Sequence, residues 1–92
     1  MAALAELCID GPITRADVAR LSARLSELLE EGERATVVCR LQSVLATGET
    51  LEVLARLALL AGRQGSRVRL SGASSELLEL IAFAGLDEVF SA

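Results

Sequence analysis

Short apolar, strand-like runs alternate along this chain with helical stretches that carry one greasy face, and turn residues separate them at each junction. That alternation specifies an α/β layer structure, in which helices bury their apolar stripes against a sheet. Ala3 to Ile9 is short and mostly apolar and precedes Asp10-Gly11-Pro12, which reads as a strand ended by turn residues. Thr14 caps a first helix, and Asp17 completes a capping-box-like pair at the positive end of its dipole. Val18, Leu21, Leu25 and Leu28 recur at spacings of three and four, and Gly32 ends the helix. Ala35 to Leu41 is the β-branched run of a central strand. A second helix starts at Thr47-Gly48-Glu49-Thr50 and runs to about Arg63. Arg67 to Ser71 alternates, with Val68 and Leu70 on one face and two arginines on the other. Ser74 or Ser75 caps a third helix with Leu77, Leu80, Ile81 and Ala84 inward, and Gly85-Leu86 stops it. Val89-Phe90 reads as a last short strand.

At 92 residues the chain has room for one domain, spanning 1–92, and one modest core. It contains no His, which removes the commonest general base and metal ligand and excludes a Ser-His-Asp or Cys-His nucleophile. Cys8 and Cys39 alone cannot build a zinc site. Both fall in strand-like runs, where free Cys behaves as a small buried hydrophobe. No metal or cofactor and no enzymatic activity are expected. Thirteen acidic residues against nine arginines, with two phenylalanines as the only aromatics, argue against phosphate neutralisation and base stacking on a nucleic acid. No secretion signal opens the chain and no apolar stretch approaches the roughly 20 residues of a membrane span, so a cytoplasmic protein with reduced cysteines is expected.

The second helix carries a surplus of apolar residues. On a wheel of about 100 degrees per residue, Glu49, Glu52, Arg56 and Arg63 share one stripe, and Leu51, Leu54, Ala58 and Ala61 lie opposite. Val53, Leu57 and Leu60 then form a ridge beside the charged stripe. Such a ridge serves either as a partner or oligomer surface or as packing for a neighbouring helix. The loop at Thr47 and Gly48 leads into the same helix, where free backbone N–H groups and the dipole favour an added phosphate on Thr47 or Thr50. The plainer role of Thr47 is an ordinary cap. Arg63, Arg67 and Arg69 read as a solvated basic cluster balanced by nearby Glu.

Val37-Val38-Cys39-Arg40-Leu41, Leu51-Glu52-Val53-Leu54, the run from Gln64 to Gly72, and above all Ala84-Gly85-Leu86-Asp87-Glu88-Val89-Phe90 together resemble the STAS domain. That family includes the bacterial anti-sigma-factor antagonists. The resemblance implies a small α/β domain with a mixed sheet of four to five strands and three helices. It also implies protein–protein switching, in which a partner kinase, often itself an anti-sigma factor, phosphorylates a Ser or Thr before the second helix. The acidic residue of that loop is missing here. Anchoring on Leu51 puts Thr47 at its position and Gly48 at the acceptor position; anchoring on Thr47-Gly48 makes Thr47 the acceptor and Ala46 the replaced Asp. Arg40 also stands where the family usually has an acidic residue.

The expected function is therefore a partner-binding module, with Thr47, Gly48, Glu49, Thr50, Val53, Leu57 and Leu60 as the contact and Thr47 as the phosphate acceptor if one is used. The expected partner is an anti-sigma factor or serine kinase. Two alternatives stand beside it: an accessory subunit that binds the ATPase of a membrane lipid-transport ABC complex without entering the bilayer, and a self-associating structural protein.

Overall fold

The computed structural model describes residues 5–31 and 36–90. Three strands, β1 (Ala5–Asp10), β2 (Thr36–Gln42) and β3 (Arg67–Ser71), form a parallel sheet in the order β1-β2-β3. Register runs Leu7 to Cys39 between the first pair and Val37 to Val68 between the second. A 3-10 turn, Arg15–Asp17, leads into α1 (Val18–Glu31), α2 (Gly48–Arg63) links β2 to β3, and α3 (Ser75–Phe83) follows β3. Both crossovers step the same way across the sheet, and right-handed crossovers in one direction place their helices on one face. The burial pattern agrees: Leu7, Ile9, Val37, Cys39, Leu41 and Val68 are buried, while the alternate strand residues point away from the helices.

The expected sheet of four to five strands is therefore a three-stranded, wholly parallel one among the described residues. Val89-Phe90 is a turn and not a strand. Gly85, at φ +75, lets the Leu86 N–H reach back to the Ile81 carbonyl at 3.0 Å and stops α3. The chain then turns within four residues and sets Phe90 into the core. Ala84, expected inward, is exposed because the helix unwinds at that position. Gly32, expected to end the first helix, lies outside the described residues, as does the start of the first strand-like run.

Thr14 and Asp17 cap the first helical segment as expected. The Thr14 N–H donates to Asp17 Oδ2 at 2.9 Å, and that bond, with one from Arg20, holds the Asp17 carboxyl below the usual carboxylate range. Ser74, not Ser75, caps α3 by accepting from the Leu77 N–H at 3.1 Å. Cys39 is buried and free, and desolvation pushes its thiol up to about 12. Cys8, expected to be buried, is exposed: strand alternation puts it on the opposite face of the sheet, where no disulfide to Cys39 is possible.

Candidate interaction surface

In a parallel βαβ arrangement every helix starts at the carboxyl edge of the sheet, the edge where α/β proteins build their sites. Here the loop from Ser43 to Thr47 lies between β2 and α2 at that edge. Ser43 takes a positive φ of 58, uncommon for a residue with a side chain, and Leu45 beyond it is 58% exposed. The Thr47 N–H closes back on the Leu45 carbonyl at 3.0 Å, and Thr47 Oγ1 accepts from the Thr50 N–H at 3.1 Å. Thr47 is thus the α2 cap, and its hydroxyl also donates to Thr50 Oγ1 at 3.1 Å. Thr47 and Gly48 are exposed, whereas Thr50 is 1% exposed. Of the two threonines only Thr47 offers its side chain to a partner or a kinase.

Charge next to this loop is already engaged within the chain. The Arg15 N–H donates to Glu49 Oε2 at 2.9 Å, and Arg15 Nε donates to Glu52 Oε2 at 2.7 Å. The pairing raises the Arg15 guanidinium and lowers the Glu52 carboxyl relative to their ordinary values, the direct hydrogen bond being the main cause. Arg15 is exposed and Glu52 only half-buried, so the bridge orients the start of α1 against α2 more than it stabilises the fold. Glu49 and Glu52 are the inner face of that clamp and not an open acidic stripe.

The apolar ridge of α2 divides. Val53 and Leu57 are fully buried, so they are core residues with no surface for a partner. α2 packs against α1, β3 and, less extensively, α3. Leu60 is partly buried and lines a groove of about 470 Å³ between α1 and α2, together with Val18, Ser22, Arg56, Leu59 and Arg63. Leu59, at 63% exposed, is the open apolar residue on this helix. Leu60 follows Thr47 by 13 positions, about 20 Å along the axis, so groove and loop are two separate features.

Leu45 and Leu59 were not singled out by sequence reasoning. The wheel held the signal for Leu59, which falls roughly 20 degrees beyond Glu52, at the edge of the charged stripe and away from the apolar side. Leu45 had none, because nothing in a loop's periodicity tells which side chain faces water. Arg63, Arg67 and Arg69 do not form one cluster: Arg63 lines the groove, while the other two lie on the sheet face turned away from the helices. None of the three makes an ion pair among the described residues, so the expected balance by nearby Glu is not found there.

A family model described as "Mlab, STAS domain" matches residues 3–91. The chain belongs to the STAS domain family. No curated protein matches it. The βαβαβα order is the architecture of this STAS domain among the described residues, and Leu45 and Thr47 stand in its loop between β2 and α2. No helix among the described residues is long and apolar enough to cross a membrane. Among the same residues no three His, Cys, Asp or Glu side chains converge as a metal site would require.

Proposed function

We propose that this STAS domain is a non-enzymatic interaction module of the anti-sigma-factor-antagonist kind, binding a serine kinase or anti-sigma factor through Leu45, Thr47 and Gly48, the loop and first residue of α2. The observation that carries the reading is an apolar side chain and an accessible threonine held together in a short, strained loop at a helix N-terminus. Leu45 supplies apolar area that its own chain does not cover. Thr47 is the residue at which a phosphate would matter. Esterification removes the proton it donates to Thr50 Oγ1 and adds about −1.5 to −2 charge next to Glu49. The helix dipole favours that charge locally, so phosphorylation alters the docking surface without unfolding α2. Glu49 contributes through its clamp on Arg15, and Thr50 by holding the cap from inside.

The test is co-purification of the chain from its source cells, compared with Leu45→Glu. A kinase or anti-sigma factor retained by the unaltered chain and lost from the variant supports the reading. Incubation with that kinase followed by intact-mass analysis then locates the phosphate, and stoichiometric modification of another residue rules out Thr47. The second reading, an accessory subunit of a membrane lipid-transport ATPase, rests on the Thr47-Gly48 loop, which such subunits also carry. An ATPase subunit in the same purification decides for it.

A further inference from the structure

The sheet face turned away from the helices is uncovered in the described residues. Parallel sheets are found almost only with both faces covered. The side chains on this face are not a random polar set. Pairing registers place Glu6 beside Val38 and Val38 beside Arg69, so one row across the sheet reads negative, apolar, positive. Acidic residues, Glu6 and Asp10, stand on the β1 edge, and Arg67 and Arg69 on the β3 edge. With Arg40 on β2 this face holds three arginines against two carboxylates, while the whole chain carries −4. The rest of the chain therefore carries a formal −5, while this face is close to neutral and holds both signs.

We propose that two copies of the chain pair through these open sheet faces, about a two-fold axis that runs parallel to the strands past Val38. That axis reverses the row, setting Glu6 opposite Arg69 of the second copy, Val38 opposite Val38, and Arg69 opposite Glu6. The perpendicular in-plane axis would set β1 on β1 and oppose like charges. Sheets stack about 10 Å apart, a gap that a glutamate and an arginine span together. Arg40 lies close to its own copy across the axis, and each Arg40 keeps Glu6 of its own chain at 3.7 Å as a neutralising neighbour. Three strands of this length cover roughly 14 by 20 Å, far short of the 800 Å² per partner of a stable dimer, so the pairing is weak. A dissociation constant on the order of 0.1 mM is expected, steeply dependent on salt.

Sedimentation of the full chain from about 10 μM to 1 mM tests this at low and at roughly 1 M salt, where screening is nearly complete. The expected result is a dimer that grows with concentration at low salt and is lost at high salt. Arg69→Glu and Glu6→Arg each place like charges at both contacts and weaken association at least roughly tenfold. An equimolar mixture of the two variants has opposite charges at both contacts and regains the association of the unaltered chain. Both positions are exposed, and circular dichroism verifies that each variant is folded. A monomer at every concentration, single variants that associate undiminished, or a mixture that fails to recover would each overturn the proposal. Partner binding at the Leu45 loop is read separately and does not enter this outcome.

Discussion

Truncation of Leu57 to alanine, set against the same change at Leu59 two positions on, measures how α2 is seated. Leu57 is fully buried on a helix that packs against β3, α1 and α3, so its loss leaves a cavity that rigid neighbours fill only in part. Leu-to-Ala changes at such sites cost about 2.7–5 kcal/mol, and about 3 is expected here. Unfolding entropy scales to about 0.19 kcal/mol/K for 92 residues, so the midpoint falls by about 15 °C. That is a large part of the roughly 5–14 kcal/mol that holds a domain of this size. Leu59 keeps 63% of its surface in water, and its truncation should cost at most about 0.5 kcal/mol, or 2–3 °C. Thermal and urea unfolding followed by circular dichroism read both values on the same protein preparations. A Leu57→Ala midpoint within about 3 °C of the unaltered chain, or a Leu59→Ala loss equal to that of Leu57→Ala, would refute the placement of the ridge. In that event α2 would be rotated so that the ridge faces water.

Thiol titration should find Cys8 reactive in the native state and Cys39 protected until unfolding, the difference vanishing in denaturant. Because the Cys39 thiol is raised to about 12 from 9.0, the folded chain keeps a proton that the unfolded chain loses between those values. Stability should therefore fall by about 1.4 kcal/mol per pH unit across that window, and the Cys39-dependent part should be absent from Cys39→Val in urea melts at pH 8 to 11. Gly72→Ala should destabilise by at least about 2 kcal/mol, since a Cβ there meets the Leu41 carbonyl oxygen at 2.5 Å with φ at +80. Gly62→Ala, on an exposed helical position with open space, should instead raise stability by about 0.5–1 kcal/mol, so chemical denaturation reads opposite signs for the two. Thr47→Ala removes the α2 cap and should cost about 1 kcal/mol by the same measurement. Arg15→Ala should move the Glu52 carboxyl back up toward its ordinary value in an NMR titration.

Much of the fold is legible along the chain because its causes are local. The Thr14–Asp17 pair, the Thr47 and Ser74 caps, the Gly85 stop and the alternation of Arg67 to Ser71 all act within four residues of themselves. The STAS membership is legible for a related reason: the resemblance rests on continuous runs such as Ala84 to Phe90, and the family match spans residues 3–91. The candidate site was half legible. Thr47 and Gly48 were found from the loop-to-helix transition, but the ridge was assigned by a wheel centred on Leu51, Leu54, Ala58 and Ala61.

Which way a helix faces is decided by everything that touches it, and the wheel knows only the helix itself. α2 meets the sheet, α1 and α3 together, so its buried arc is wide and turned toward Val53 and Leu57, with Thr50 and Ala61 near the centre. Leu59 is left in water by the same rotation. Strand count and sheet exposure are equally tertiary facts. Val89-Phe90 has the side chains of a strand, yet after the Gly85 stop the chain turns there and sets Phe90 into the core. By itself the sequence determined the three helices with their caps, three of the strands and the family, because periodicity and capping are short-range. Only the tertiary structure decided which apolar residues are core, which threonine is reachable, and that an acidic and a basic edge share one open face, because those depend on contacts between segments far apart in the chain.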